Sequence, residues 1–127
     1  MSESVNVRYM VSDVQTAVDW YAGHFGFSVQ LNAAPAFASV EKGALRLLLS
    51  GDKSSAGRPM PDGRQPEPGG WNRFQVIVED IEAEADRLRG AGVTFRNEIL
   101  KGPGGSQVLV QDPSGNLVEL FQPAGRG

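Results

Sequence analysis

Histidine and cysteine, which serve in many metal and nucleophilic sites, are scarce in this chain. Its 127 residues include a single histidine, His24, and no cysteine. One histidine excludes a metal site built on two or three imidazoles from one chain, and it is the only candidate base for a Ser-His-Asp triad. The lack of cysteine excludes disulfides, thiol catalysis and zinc ribbons.

His24 lies at the end of a predicted helix, in the segment Ala22–Phe25. A histidine near a helix C-terminus is stabilised by the helix dipole, and we interpret His24 in that role. The alternative role is a catalytic base. The glycine-rich segment Gly102–Gly105 lacks the Lys and the Ser or Thr that follow in a phosphate-binding loop, so we predict a turn there.

Charge and hydropathy narrow the possible partners. Twelve Lys and Arg against fifteen Asp and Glu give a net charge of -3, which argues against nucleic-acid binding and also suits a cationic ligand. No apolar run reaches the roughly 18 residues of a membrane span. The start, Met1–Ser4, lacks the basic and apolar regions of a signal peptide. We therefore expect a cytoplasmic protein with neither a nucleic-acid nor a membrane partner.

The elements that position the remaining polar residues occur twice. Val5–Val14 and Asn72–Ile81 share an alternating apolar pattern with an aspartate at the next-to-last position, and an amphipathic segment and a glycine follow each stretch. The alternation predicts a strand, and the later 3.6-residue spacing predicts a helix. Ser12 and Gln15 fit a capping box, so the first helix is predicted to begin near Asp13.

Three further strands are predicted after each helix, which makes each half a βαβββ module. They span about 27–32, 36–42 and 44–50 in the first module, and about 94–99, 106–111 and 116–121 in the second. Gly26 and Gly92 suit the left-handed turn after each helix. Asp112–Gly115 has the residues of a type I turn, which predicts a hairpin.

The chain is predicted to form one domain, residues 1–127, made of two modules. The first spans about 4–50 and the second about 71–123. The segment 51–70 holds four of the eight prolines and five of the sixteen glycines, so we interpret it as a linker. At this length it is also a candidate loop over a site.

With these modules in place, the chain resembles the vicinal oxygen chelate superfamily, the glyoxalase/bleomycin-resistance/extradiol-dioxygenase group. The stretches that carry the resemblance are Tyr9–Val14, Trp20–Tyr21, Phe25–Phe27, Val78–Ile81 with Gly92–Val93, and Gln111–Phe121. The resemblance implies an α+β fold in which two βαβββ modules form an open curved sheet around a cavity. It also implies a homodimer, with the cavity shared between chains.

Metal-binding members of this family hold a divalent cation at four equivalent positions, which fall here on Asn6, Leu47, Arg73 and Glu119. Only Glu119 is a good anionic ligand, and Arg73 is a permanent cation that repels a metal ion. We predict that Arg73 and Glu119 pair with each other in the space of the metal. The alternative is that both point separately into water. No cofactor is expected, and a divalent metal is the alternative.

The strand period then assigns a set of residues to the cavity implied by the resemblance. The candidate ligand-binding residues are Asn6, Arg8, Met10, Phe37, Leu47, Leu49, Trp71, Arg73, Gln75, Glu119 and Phe121. Trp71 and Phe37 suit stacking on a flat ligand. A structural role, in which Trp71 holds the linker 51–70 in place, is an equal alternative for that residue.

Three functions are compatible with this sequence. The first is a metal-independent binding protein of the bleomycin-resistance type, which sequesters an apolar or aromatic natural product in the inter-module cavity. The second is a glyoxalase-like metal-dependent lyase, isomerase or dioxygenase. The third is a metal-free enzyme with Glu119 as general base, in which case Glu119 is the one candidate catalytic residue.

Overall fold

A computed structural model describes residues 3–125, so Met1 and Ser2 of the N-terminal segment lie outside the described residues. The chain divides into two units at the boundary between Gly69 and Gly70. Unit 1 contains β1 (Asn6–Met10), α1 (Val14–Phe25), β2 (Ser28–Ala33), β3 (Phe37–Lys42) and β4 (Leu45–Ser50). Unit 2 contains β5 (Arg73–Ile77), α2 (Ile81–Gly90), β6 (Thr94–Phe95), β7 (Leu100–Gly102), β8 (Gly105–Gln111) and β9 (Leu117–Pro123).

Unit 1 is a four-stranded sheet in the order β1-β4-β3-β2, with β1 parallel to β4 and the other pairs antiparallel. Its helix begins after Asp13, whose carboxylate accepts a hydrogen bond from the backbone N–H of Thr16 at 2.8 Å. The N-cap is therefore Asp13, one residue after the Ser12 of the predicted capping box. The helix ends at Gly26, whose φ of 69° confirms the predicted left-handed turn.

Unit 2 repeats this arrangement, with the sheet order β5-β9-β8-β6 and with β7 also paired to β8. Asp80 caps α2 by accepting a hydrogen bond from the N–H of Ala83 at 3.0 Å. Gly92 has a φ of 83°, as its predicted turn requires. The predicted βαβββ pattern is therefore present in unit 1, and unit 2 has the same pattern with the strand after the helix divided into β6 and β7.

Two predicted segments differ in detail from the structure. The strand expected at 94–99 is two short strands, β6 and β7, separated by irregular backbone. The segment 51–70 contains a 3₁₀ turn at Ser55–Gly57, and its glycines Gly51 and Gly57 are buried. The predicted hairpin turn is confirmed, because the N–H of Gly115 donates to the carbonyl of Asp112 at 2.9 Å.

Each sheet has one buried and one more polar face, because alternate side chains of a strand point to opposite sides. In unit 1 the buried face contains Tyr9, Leu47 and Leu49, which are 7%, 0% and 0% exposed. We call the opposite side the polar face. In unit 1 it carries Asn6, Arg8, Met10, Phe37, Ser39, Glu41, Arg46, Leu48 and Ser50. In unit 2 it carries Arg73, Gln75, Ile77, Gln107, Leu109, Gln111, Leu117, Glu119 and Phe121.

No helix within residues 3–125 is long and apolar enough to cross a membrane.

Candidate functional site

The strand register corrects one of the four positions that the sequence placed at the family's metal ligands, namely Leu47. In unit 2, Glu119 lies opposite Gln75, the third residue of β5. The third residue of β1 is Arg8, and it lies opposite Leu48. The unit 1 counterpart of Glu119 is therefore Leu48 rather than Leu47.

The cause of this slip is a difference in hairpin length. β3 and β4 are joined by two residues, since Lys42 pairs with Leu45, whereas β8 and β9 are joined by five, since Gln111 pairs with Leu117. Aligning the glycines of these turns shifts the strand by one residue, and such a shift moves every side chain to the other face. The assignment of Leu47 and Leu49 to the same face as Arg8 is accordingly wrong, because both lie on the buried face.

The predicted pair between Arg73 and Glu119 is present on the polar face of unit 2. The Nε atom of Arg73 donates to Oε1 of Glu119 at 3.0 Å. Gln75 Nε2 donates to the other carboxylate oxygen, Oε2, at 2.7 Å. The Glu119 side chain is only 8% exposed, and the Arg73 side chain is 32% exposed. Both oxygens of this nearly buried carboxylate are thus satisfied by neighbouring side chains of β5.

The donor set at the family's metal positions does not fit a divalent cation. With the corrected register these positions are Asn6, Leu48, Arg73 and Glu119. Leu48 has no donor atom, Asn6 offers an amide oxygen, and Arg73 places a guanidinium against the one carboxylate. Within the described chain, no group of three or more His, Asp or Glu side chains is arranged to hold a metal ion.

An aromatic residue and a cation lie at one end of the unit 2 sheet. Trp71 is 68% exposed, and its backbone carbonyl accepts a hydrogen bond from Arg73 Nη1 at 3.4 Å. The guanidinium carbon of Arg96 lies 5.4 Å from the Trp71 ring centroid, within cation–π range. The Nε and Nη2 atoms of Arg96 donate to Oε1 of Gln111 at 3.1 and 3.0 Å. This contact orients Arg96 over the indole.

Sequence reasoning did not identify Arg96, because it follows a two-residue strand whose end was expected four residues later. The predicted ligand-binding residue Phe121 is half-buried on the polar face of this unit.

A pocket of about 450 Å³ in unit 1 contains two of the predicted residues, Arg8 and Phe37. Its other lining residues are Ala36, Lys53, Ser54 and Ser55. Arg8 Nη1 donates to the hydroxyl oxygen of Ser50 at 2.7 Å. Ser50 is fully buried and lies opposite Phe37 in the register, which places the phenyl ring on the same face as Arg8.

The two other predicted residues of β1 lie outside this pocket. Met10 lines a separate pocket of about 260 Å³ with Val11, Ser12, Asp52, Pro66 and Pro68. Asn6 is exposed at the start of the strand. His24 is in the last turn of α1, with its ring centroid 5.5 Å from that of Trp20.

Comparison with known proteins agrees with this geometry. The family described as the Glyoxalase/Bleomycin resistance protein/Dioxygenase superfamily matches residues 5–120. The chain belongs to this superfamily. The expected α+β architecture with βαβββ modules is that of the superfamily's solved members.

Two solved members of the superfamily's fold share 27% sequence identity with this chain. One is the antibiotic binding protein TnmS3 from Streptomyces sp. CB03234, with a TM-score of 0.72 and 98% of each chain covered. The other is a superfamily member from Sphaerobacter thermophilus DSM 20745, with a TM-score of 0.74, covering 96% of this chain and 98% of that one.

A lactoylglutathione lyase from Agrobacterium tumefaciens is similar in fold. It shares 20% identity, with a TM-score of 0.73, covering 96% of this chain and 94% of that one. No curated protein sequence matches the chain.

Proposed function

We propose that this protein binds an apolar or aromatic small molecule, such as a natural-product antibiotic, without a metal ion and without converting it. The observation that carries the proposal is the double engagement of Glu119 by Arg73 and Gln75. Each oxygen of this carboxylate already accepts one hydrogen bond, and the guanidinium beside it repels a divalent metal ion. A binding role needs no free base, whereas each enzymatic alternative needs Glu119 to be available.

An exposed tryptophan at one end of the unit 2 sheet also supports a binding role. Trp71 keeps 68% of its surface exposed although Arg96 holds one region of its ring. Exposed tryptophan offers a large apolar surface for stacking, and aromatic pairs contribute about 0.5–1.5 kcal/mol beyond area burial. Similarity to an antibiotic binding protein at 27% identity over 98% of the chain agrees with this role.

The test uses the two tryptophans of the chain, Trp20 and Trp71, as separate reporters. A panel of aromatic antibiotics is titrated in the presence of EDTA, and binding is followed by tryptophan fluorescence and calorimetry. We expect quenching in wild type and in Trp20→Phe, because Trp71 remains. Trp71→Ala should lose the quenching and bind about tenfold more weakly, as loss of one stacking contact implies.

The recovered ligand decides between binding and catalysis. Mass spectrometry should return each bound compound unchanged, and Glu119→Gln should leave its Kd within about twofold because the amide still accepts a hydrogen bond from Arg73. Consumption of the compound, or binding that appears only after nickel, zinc or manganese is added, would contradict the proposal. Micromolar affinity for one of these metals in a direct titration would contradict it as well.

The proposal includes a homodimer. The strand β2 ends the sheet of unit 1, and all six of its residues are exposed, with Val29 and Leu31 at 48% and 52%. Such an edge is a common surface for pairing with a second chain. Analytical ultracentrifugation should give twice the chain mass of 13.6 kDa, and a monomer at micromolar concentration would contradict this part.

A further inference from the structure

We propose that the unit 1 pocket lined by Arg8, Phe37 and Lys53 binds an anionic oxygen group carried on an aromatic ring of the ligand. This inference deepens the proposed function and rests on it. Carboxylate, phenolate, sulfate and phosphate share the chemistry concerned, which is a negative charge spread over oxygen acceptors. The net charge of the chain is -3, so the argument depends on local charges rather than the overall field.

The charges that line the pocket are both positive. Arg8 and Lys53 contribute a guanidinium and an ammonium, and the four remaining lining residues, Ala36, Phe37, Ser54 and Ser55, are uncharged. Within residues 3–125, neither cation forms an ion pair with a carboxylate. The carboxylate next to Lys53 in the chain, Asp52, lines the separate pocket beside Met10. Two cations facing one space without a counter-charge repel each other, and an anion between them removes that cost.

Arg8 is held in a fixed direction by a buried acceptor. Its Nη1 donates to Ser50 at 2.7 Å, and Ser50 is 0% exposed. Within the described part of the chain this is its one hydrogen-bonding partner, and its other N–H groups have no acceptor among those residues. A guanidinium with free, parallel N–H groups suits two-point binding of a carboxylate, sulfate or phosphate.

Phe37 supplies the surface for the ring that carries the anion. It is half-buried, and it lies opposite Ser50 in the antiparallel pairing of β3 and β4. The hydroxyl that holds Arg8 is therefore on the strand next to the phenyl ring. A volume of about 450 Å³ is within the range of pockets that hold small organic ligands and is sufficient for a two-ring aromatic compound.

The wall that carries Lys53 is fixed by backbone contacts. The N–H of Gly51 donates to the carbonyl of Ala36 at 2.9 Å, and the Ser54 hydroxyl donates to the carbonyl of Gly51 at 2.6 Å. Gly57 packs so closely on the backbone of Gly51 and Asp52 that a Cβ atom there would lie within 3 Å of it. The segment from Gly51 to Gly57 therefore holds Lys53 at the edge of the pocket by its own turn structure.

The experiment compares two probes of nearly equal shape, 2-naphthoate and 2-naphthamide, by calorimetry at low salt. We expect 2-naphthoate to bind at least about tenfold more tightly, with a preference that falls as salt is added. Lys53→Gln should reduce the preference severalfold, and Arg8→Gln should abolish it. Arg8→Lys should give an intermediate preference, because it keeps the positive charge and loses the paired N–H donors of the guanidinium.

Lys101→Gln is the matched control, because it removes the same charge from an exposed lysine of unit 2. It should leave the preference unchanged. In amide NMR spectra, 2-naphthoate should shift the signals of Ser54 and Ser55, and at the same probe concentration the shifts should be smaller in Lys53→Gln. Thermal unfolding of each variant shows that it is folded.

The outcomes separate this inference from the proposed function. If antibiotics bind while the two naphthyl probes bind equally, or if Lys101→Gln lowers the preference as much as Lys53→Gln, the anion site is wrong and the proposed function stands. If neither the antibiotics nor the probes bind at millimolar concentration, both are wrong. Tenfold preference that depends on Arg8 and Lys53 supports the inference.

Discussion

Leu48 and Glu119 occupy the same position in the two units, each opposite the third residue of the first strand of its sheet. One of these positions carries a hydrocarbon side chain, and the other carries a glutamate side chain that is 8% exposed. Glu119 accepts hydrogen bonds from Arg73 and Gln75. Leu48 instead lies opposite Arg8 and on the same face as Ser50. The two polar faces thus share their strand positions and differ in chemistry, so each suits a different chemical group.

The register gives a prediction for two adjacent leucines. Leu47 is fully buried, while Leu48 is half-buried on the polar face. Leu47→Ala should lower the free energy of unfolding by about 2–5 kcal/mol, because it leaves a cavity in a packed core. Leu48→Ala should cost less than about 1.5 kcal/mol. Urea unfolding of both variants measures the difference, and equal losses would mean that the strand faces are assigned wrongly.

The pair of Arg73 and Glu119 should be coupled in a double-mutant cycle. Arg73→Met leaves a nearly buried carboxylate with only Gln75, and we expect it to lower stability by about 1–2 kcal/mol. That is less than the ~3–5 kcal/mol for breaking a fully buried pair, because the Arg73 side chain is 32% exposed.

Adding Glu119→Gln to Arg73→Met removes the uncompensated charge, so the double variant should recover about 1 kcal/mol relative to the sum of the single changes. Chemical denaturation of the four proteins gives the coupling. Strict additivity would show that the two side chains do not interact in solution.

Asp13 should give unit 1 a dependence on acid pH. The backbone hydrogen bond from Thr16, followed by the Thr16 side chain, holds the pKa of Asp13 below its usual value. Its contribution to stability is therefore complete above the ordinary aspartate pKa of about 4 and is lost as the pH falls through the lower value in the folded protein.

Asp13→Asn is the matched variant, since asparagine also caps a helix but does not titrate in this range. Thermal unfolding is measured from pH 7 to pH 2.5. The unfolding midpoint of wild type should fall more steeply at the acid end than that of Asp13→Asn. Parallel curves would indicate that Asp13 is not hydrogen-bonded to the helix. Asp13→Ala should lower the unfolding midpoint at every pH, because it removes the cap.

Much of the fold follows from local patterns that survive in a single sequence. Strand alternation around Tyr9 and Val76 and glycines after each helix are sufficient to place two βαβββ units, and the family resemblance adds their architecture. The pairing of Arg73 with Glu119 follows from charge alone once both residues are placed at equivalent positions. The helix cap was misplaced by one residue because Ser12 and Asp13 are both good capping residues, and only the backbone decides between them.

Other parts of the site depend on geometry that a sequence does not display. The choice of Leu48 over Leu47 requires the lengths of two hairpin loops that share only a glycine. Lys53 lies in a segment that composition describes as a linker, and only its turn places it beside Arg8. Arg96 meets Trp71 because the chain leaves the sheet after Phe95, which no periodicity marks.

The close packing of Gly57 on Gly51 has a thermodynamic consequence for the pocket beside Arg8. A wall that is already ordered before the ligand arrives loses little conformational entropy on binding, so little of the interaction energy is spent on ordering the chain. Recognition at such a site changes through the side chains at 53–55 while the backbone that presents them stays constant. Relatives with different ligands are therefore expected to keep small residues at 51 and 57 and to vary the residues between them.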